Sequence, residues 1–393
     1  MRIASLHSGF GERGGAERSV LEQAHYLTRQ HKVTVFGTYA NMSKCYPDLM
    51  RDLDIRQLVG VPFTKFDLLT NAALGLFLAR RFKESLEEYE ILLSHQEPSH
   101  WIAFCSGRPY VAQIRSLLTI LYPGVGDTLP WDTDYDRIAI NMAVDLGARR
   151  FLSWCDKKAV RKASRVLVHC RKAVEVVREI YEVQPVQVPY GIDFSGYSYA
   201  DPKPFFAKYS IRRPVILMVT RAIPSKRPDL MIKILPKVLT DHPTATLVIA
   251  CGEGRYTDFL HRLARKLGMT GSTRIISVSP QGINALYSGA DVVAYPTQAP
   301  EMLGRVAVEA MYFGIPPVVW DNEWGPAEVV RDGVGFRALP YDTEDFLDKI
   351  LALLNDNDMR QRMGDEARRY AKLSFSWDRA GPVLERILEN ACL

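Results

Sequence analysis

The chain reads as an α/β protein: two domains, each a parallel sheet wound with helices. Three observations predict this. Its 393 residues are too many for one ordinary core and suit two. Short apolar runs alternate with amphipathic helical stretches along both halves. The alternation is interrupted at Val188-Pro189-Tyr190-Gly191-Ile192-Asp193, where a proline and a glycine break the pattern before it restarts. The expected domains are therefore 1–190 and 191–375, with 376–393 a C-terminal helix packing back on the first.

In the first half, residues 2–7 read as a strand, 15–30 as a helix, 32–37 and 90–94 as strands, and the apolar run 101–105 as a further strand. Residues 155–164 look helical, 165–169 strand-like and 171–181 helical. The second half begins with the buried strand Val215-Ile216-Leu217-Met218-Val219. A helix at 228–240, a strand at 245–250, a helix at 256–267, a strand at 273–277 and a helix at 282–289 follow. Strand 291–295, helix 304–313 and strand 316–320 complete that core. A polar helix from 343 to 372 and a last helix from 379 to 391 close the chain, with Asn355-Asp356-Asn357-Asp358 read as a break and a new cap. Two facing α/β domains leave a cleft at the carboxyl ends of their strands, where ligands bind.

Composition narrows the class. Hydrophobic residues at 47% and charged residues at 24% are globular values. Six scattered cysteines (45, 105, 155, 170, 251, 392) include no Cys-x-x-Cys pair, which argues against a metal knuckle or disulfide scaffold and fits a reducing interior. Met1-Arg2-Ile3-Ala4-Ser5-Leu6-His7 lacks a signal peptide's apolar core, and no apolar run approaches the roughly 20 residues of a membrane span. The net charge of +5 is unevenly placed. From Arg149 to Arg178, ten Lys/Arg stand against Asp156 and Glu175, a local +8. Such a stretch suits anionic lipid, a phosphate-bearing substrate or simply a solvated helical face. No nucleic-acid motif accompanies it. The segment 66–83 is apolar with a basic end and reads either as a buried helix or as one lying in a membrane interface.

Four groups of residues carry chemistry. In Glu301-Met302-Leu303-Gly304-Arg305-Val306-Ala307-Val308-Glu309, an acid precedes a helix, a glycine lies just inside it, and a second acid follows two turns on. The carboxylates accept hydrogen bonds from hydroxyls, and the free amides at the helix start receive phosphate, a distribution that a nucleotide-sugar matches. Arg221 and Lys226 sit five apart in a loop at a strand's carboxyl end, where they can clamp a diphosphate, the one as a fork and the other as a point charge. Gly14 and Gly15 stand between the first strand and first helix, where a backbone can approach an anion closely. Cys251-Gly252-Glu253-Gly254 ends another strand in a tight turn.

Together these strings resemble the retaining glycosyltransferases of family 4, in the mannosyltransferase-like branch, which have two facing Rossmann-like domains (the GT-B fold). The resemblance is strong from about 215 to 335 and scattered before it, at Gly14-Gly15-Ala16-Glu17, Trp154-Cys155-Asp156, the stretch 163–170 and Tyr190-Gly191-Ile192-Asp193. It implies that the first domain binds acceptor and the second a UDP- or GDP-sugar, and that a hexose is transferred with retention and without a bound metal or other cofactor. It implies catalytic roles for Arg221, Lys226 and Glu301, with Glu301 on the donor sugar's hydroxyls and Glu309 on the ribose. Gly14 or Gly15 would meet the distal phosphate, Gly252 would flank the nucleotide, and Val278 would touch the base through its backbone. The amides of Met302, Leu303, Gly304, Arg305 and Val306 would face phosphate.

On the acceptor side, relatives often carry a histidine just after the strand equivalent to 101–105. Here that loop reads Cys105-Ser106-Gly107-Arg108-Pro109-Tyr110. The nearest histidines, His95 and His100, match no family position and read equally as satisfied surface or core histidines. The candidates are His95 and Arg108, and the role is otherwise unassigned. Asp132-Thr133-Asp134 has the spacing of a metal-binding loop, but lies in the expected acceptor domain and is read as a plain loop. The expected acceptor is lipid-linked or a polysaccharide, and the expected location is cytoplasmic, peripheral on an anionic membrane. Two alternatives remain open: a small-acceptor transferase or sugar-nucleotide epimerase of the same fold, and a non-catalytic nucleotide-sugar-binding protein.

Overall fold

The computed structural model describes residues 1–11, 13–58, 83–96, 98–115 and 142–392, without the side chains of 142–149, 255, 280 and 281. Of the expected interfacial segment 66–83, only Lys83 falls among the described residues, and Asp132-Thr133-Asp134 lies outside them.

In chain order the elements are β1 (Arg2–His7), α1 (Gly15–Leu27), β2 (Lys32–Gly37), α2 (Pro47–Met50), β3 (Asp54–Gln57), α3 (Lys83–Leu86), β4 (Ile91–His95), α4 (Ser99–Ser106) and β5 (Tyr110–Gln113). Next come α5 (Met142–Arg161), β6 (Arg165–Val168), α6 (Arg171–Tyr181), β7 (Val186–Gln187), α7 (Lys203–Tyr209), β8 (Val215–Val219), α8 (Pro228–Asp241), β9 (Thr246–Ala250) and α9 (Arg255–Lys266). The remainder are β10 (Thr273–Ile276), α10 (Pro280–Gly289), β11 (Val292–Tyr295), α11 (Arg305–Phe313), β12 (Pro317–Trp320), α12 (Gly325–Val329), β13 (Phe336–Ala338), α13 (Thr343–Asn355), α14 (Asn357–Ser374) and α15 (Trp377–Cys392).

Two units share these elements. Among the described residues the first takes those up to 115, those from 142 to 193 and those from 375 on, and the second takes 194–374. The first holds a seven-stranded sheet in the order β3-β2-β1-β4-β5-β6-β7, the second a six-stranded sheet in the order β10-β9-β8-β11-β12-β13. The strand pairs in both are parallel. Each sheet is covered on two faces, which is why its central strands read as mostly apolar runs. In β8, Ile216 and Met218 enter one core cluster while Val215 and Leu217 enter the other. In β1, Ile3 faces one cluster and Ala4 and Leu6 face the second.

One element differs in kind from its sequence reading. The run 101–105 is not a strand but part of the helix α4. A five-residue apolar run does not distinguish a buried helix from a buried strand, and the deciding signals are its ends. Pro98 occupies the N-cap, and Gly107 closes the helix in the left-handed region at φ +74°. The strand of that region is β5, which begins at Tyr110 where a loop was expected. Strands β3 and β13 also went unread. Both lie at sheet edges and are partly exposed, so neither shows an apolar run. The long polar helix is two, α13 and α14, and Asp356 at the break accepts a hydrogen bond from the Met359 amide at 2.8 Å.

Helix α15 returns to the first unit. Leu384 and Leu388 enter the core cluster that holds Val20, Leu21 and Ala24 of α1, and Trp377 stacks on Tyr26 with ring centroids 5.4 Å apart. Gly381 makes the approach possible: a Cβ there would lie 1.9 Å from Tyr26 Cζ. Gly381→Ala should therefore push Tyr26 off its stack and cost about 1–3 kcal/mol, as overpacking does. Urea denaturation followed by tryptophan fluorescence would read the loss, and an unchanged midpoint would show that the helix pair adjusts freely.

Candidate functional site

Strand order places the sites. In each sheet the chain winds outward in one direction and then crosses to the other side of its first strand, so the order reverses between β1 and β4 and between β8 and β11. Loops leaving the carboxyl ends of such a pair splay to opposite faces and open a crevice. In the second unit the two loops are Thr220–Arg227 and Pro296–Gly304, and in the first they follow His7 and His95.

The second unit's crevice holds a compact ion pair. Lys226, on a short turn braced by its amide to the Ile223 carbonyl at 3.2 Å, directs Nζ to Glu301 Oε1. The lysine side chain is 10% exposed and the glutamate's 18%, so the pair is largely withdrawn from water. Tyr295 donates its hydroxyl to Glu301 Oε2. Thr297 donates to Oε1 at 3.4 Å and stands 3.5 Å from the lysine. The amide of Gln298 bonds the Ser225 carbonyl at 2.8 Å and ties the two loops together. Burial pushes the Tyr295 hydroxyl above its ordinary range, and the nearby Arg221 guanidinium opposes that shift. Arg221 itself is exposed at the loop's mouth.

Glu301 leads into the turn whose geometry Gly304 allows. Gly304 caps α11 in the left-handed region at φ +76°, and a Cβ there would meet Pro326 at 2.7 Å. Met302 and Leu303 are buried, and the Gly325 amide holds the Glu301 carbonyl at 2.8 Å. One helix turn inside, Glu309 is 8% exposed. It accepts hydrogen bonds from Tyr197, from Tyr287 at 3.0 Å and from Arg305 Nε at 2.8 Å. A carboxylate has about four acceptor positions, so roughly one is left for a ligand hydroxyl. Val306 packs beside the core cluster of that face, as does Val278, just past β10. The turn Cys251–Gly254 follows β9, and added Cβ atoms at Gly252 and Gly254 would meet nothing within 4 Å.

In the first unit the carboxyl edge carries a row of polar side chains that sequence reading did not assemble. Register pairs His7 with His95 and His95 with Gln113, and His169 directly follows β6. Arg115 ties the row together, donating to His95 Nδ1 at 3.2 Å, to Gln23 at 2.9 Å and to Gln113 at 3.2 Å. With Nδ1 accepting, His95 Nε2 carries the proton and faces Ser5 Oγ at 3.1 Å. His169 bonds the Val188 carbonyl and Gln113 Nε2. His7 bonds the His95 carbonyl through Nδ1 at 3.3 Å, and its Nε2 stands 3.8 Å from Glu17 Oε1. The usable signal was that successive parallel strands each end in a polar residue. Beyond β1, Gly14 caps α1 in an extended conformation, and a Cβ at Gly15 would meet nothing within 4 Å.

The acceptor-side candidates part company. His95 sits in this row, fully buried. Arg108 does not: it precedes β5, at the amino edge of the sheet, and gives Nε and Nη2 to the Tyr89 carbonyl at 3.0 and 2.6 Å. A guanidinium spent on a backbone carbonyl at the far edge cannot act with His95, and the assignment is corrected on that ground. The described part of the basic stretch spans α5, β6 and α6. Arg161 pairs with Glu182 and Lys172 with Glu175, and most of its other cations are exposed. Among the described residues no helix is long and apolar enough to cross a membrane, and no cluster of three or more His, Cys, Asp or Glu could hold a metal ion. Cys45, Cys155, Cys251 and Cys392 form no disulfide.

Comparison with known proteins agrees with this geometry. The family model for glycosyltransferase family 4 matches residues 13–195, and that for glycosyl transferases group 1 matches residues 203–370. A D-inositol 3-phosphate glycosyltransferase of Corynebacterium aurimucosum is 28% identical across all of this chain and 96% of its own length. A GDP-mannose-dependent monoacylated alpha-(1-6)-phosphatidylinositol monomannoside mannosyltransferase of Corynebacterium glutamicum is 29% identical over 52% of this chain and 55% of its own. Among solved structures, HepE of Anabaena in complex with UDP and glucose superposes with a TM-score of 0.77 at 21% identity, over 99% of this chain and 100% of that one. WaaG, a glycosyltransferase of lipopolysaccharide biosynthesis, does so with a TM-score of 0.71 at 16% identity, over 98% and 99%.

The buried histidines set a pH dependence. Burial, with Arg115 assisting at His95 and His169, holds His95 well below the ordinary histidine range and pushes His169 down to about 3. Burial alone pushes His100 down to about 3. The unfolded chain takes up these protons below about pH 6.5 while the folded unit does not, so stability is fully present above that pH and falls as pH drops toward 3. Each histidine contributes up to about 1.4 kcal/mol per pH unit in that window. Urea midpoints should decline from neutral pH downward, and His100→Gln should make the decline shallower by about one proton. A variant with the parent slope would contradict the neutral, buried state of His100.

Proposed function

Because the chain belongs to glycosyltransferase family 4 and has the GT-B fold, we propose that it transfers a hexose from a UDP- or GDP-sugar to a lipid-linked or glycan acceptor, with retention and without a metal ion. The carrying observation is the second unit's crevice. A buried lysine, an exposed arginine, two carboxylates and the amino end of α11 converge there at a strand-order reversal. In the reaction the bond from the anomeric carbon to the diphosphate oxygen breaks, a bond to the acceptor oxygen forms, and the acceptor's proton leaves with the nucleoside diphosphate. Negative charge grows on the departing diphosphate. Arg221, Lys226 and the amides of Met302, Leu303, Gly304, Arg305 and Val306 are the groups we assign to it. Glu301 takes the sugar's hydroxyls and Glu309 a ribose hydroxyl.

The choice of base stays between uracil and guanine. HepE's complex with UDP and glucose supports the first, and the GDP-mannose dependence of the C. glutamicum relative supports the second. That relative's phosphatidylinositol mannoside acceptor supports the lipid-linked class. The exposed cations of α5 and α6 support a peripheral place on an anionic membrane.

Nucleotide release from a panel of UDP- and GDP-sugars, with and without acceptor extract, tests the reading: release with no donor would leave a binding protein in its place. Arg221→Ala should raise the barrier by about 3–4 kcal/mol with a native melting curve, as loss of a preorganised contact does. Lys226→Ala should raise the barrier by a similar amount but with a lowered melting temperature, because it leaves Glu301 half-buried without its cation. Near-native turnover in either variant would remove the diphosphate clamp.

Membrane association should be electrostatic, since surface Lys and Arg are worth about 1 kcal/mol each near anionic lipid and salt screens them. The protein should sediment with anionic vesicles at low salt and leave them at high salt. Equal binding to neutral vesicles, or none to either, would move the acceptor towards a small sugar.

A further inference from the structure

The Lys226–Glu301 pair raises a question of occupancy, because the lysine assigned to the donor's diphosphate already has a carboxylate on it. We propose that Glu301 holds the phosphate's place on Lys226 in the unliganded protein, and that Tyr295 is the positioning residue that keeps Glu301 in the site when a diphosphate takes its cation. The inference rests on the donor site proposed above and adds to it a means of telling a nucleotide-sugar from the spent nucleotide.

Three observations carry it. First, Nζ of Lys226 meets Glu301 Oε1 in a site where both side chains are largely shielded, so the contact is stronger than a surface pair and closes the lysine to other anions while it lasts. Second, Glu301 has hydroxyl donors besides Lys226: Tyr295 on Oε2, and Thr297, which itself accepts from Lys226, on Oε1. They leave the carboxylate partly satisfied when the cation turns away. Third, Tyr295 is fixed. It is 4% exposed in β11, directly before the loop that carries Thr297 and Glu301, and its ring lies 5.9 Å from the Lys226 nitrogen. Burial also keeps its hydroxyl protonated across the working range, so it donates throughout.

The exchange follows from charge and hydrogen-bond count. A diphosphate brings more than one negative charge against the carboxylate's one, and so displaces it from the ammonium. Glu301 then retains two donors and has acceptor positions to spare out of about four, which the hydroxyls of a bound sugar can fill. A bare nucleoside diphosphate displaces Glu301 and offers nothing in return. A nucleotide-sugar both displaces it and satisfies it. Once the sugar has left, Glu301 competes again for Lys226, and the product nucleotide is released more readily than the donor.

Calorimetric titration of the full chain with UDP, GDP and their sugars, together with steady-state turnover, tests this. Glu301→Gln keeps the shape but removes the competing charge. It should bind the bare nucleotide more tightly, by about tenfold if the Lys226–Glu301 pair is open a tenth of the time, while binding nucleotide-sugar no better and losing turnover. Tyr295→Phe should lower kcat and weaken nucleotide-sugar binding, yet leave the affinity for bare nucleotide within about twofold. Thr297→Val, which removes the other hydroxyl, should shift the same ratio in the same direction if Tyr295→Phe proves unstable. A merely structural role would move both affinities together. Unchanged or weaker nucleotide binding by Glu301→Gln, or full turnover by Tyr295→Phe, overturns the exchange and leaves the transferase reading standing. A parent protein that binds neither nucleotide nor nucleotide-sugar overturns both.

Discussion

Parallel pairing is the constraint from which the rest of this molecule follows. When every strand of a sheet runs the same way, each connection must cross back over a face, both faces are buried, and all carboxyl ends meet at one edge. Regular structure stops at that edge, so loops, helix starts and polar side chains gather there. Each sheet reverses its order once beside its first strand, at β1/β4 and β8/β11. The reversal separates two loops and leaves room where backbone amides and side chains point at the same volume. The His7–His95 register pair stands at one of these places and the Lys226–Glu301 pair at the other.

The two places solve the problem of buried polarity differently. In the first unit three buried histidines are kept neutral. Burial holds His95, His100 and His169 unprotonated, and Arg115 adds to the shift at His95 and His169. In the second unit charge is kept and compensated: Lys226 by Glu301, and Glu309 by Arg305 with two tyrosine hydroxyls. Unpaired charge in such surroundings would cost several kcal/mol. A site meant for a diphosphate needs its cation ready, and a paired cation is the stable way to store one.

Close backbone approach fixes the frame around the second site. Gly304 takes a left-handed turn against Pro326, and Gly325 lets its own turn lie on the backbone of Met302 and Leu303. The carbonyl of Glu301 is thereby anchored by the Gly325 amide while its side chain is free to be set by Tyr295, Thr297 and Lys226. In the first unit, Gly381 similarly brings α15 onto Tyr26.

The sequence by itself determined the alternation of elements, the break near Asp193, the strand-end loops and the cations and acids they carry, because hydrophobic period and turn residues are local properties. Strands such as Arg2–His7 and Val215–Val219 were legible to the residue, since burial on both faces leaves the second wholly apolar and the first mostly so. The helix over Ser99–Ser106 was not, because a short apolar run serves either geometry and its partners are remote in sequence. Edge strands β3 and β13, half-covered, lacked the signal altogether. Which side chains meet was decided only by tertiary structure. Tyr197 reaches Glu309 across 112 residues and Ser5 reaches His95 across 90. Arg108 stands at the amino edge, just before β5, and is held there by a carbonyl that no spacing reveals. Lys226 and Glu301 were both marked in the chain as ligand-binding groups, but that they bind each other depends on strand order, which brings two loops 75 residues apart into one shielded volume.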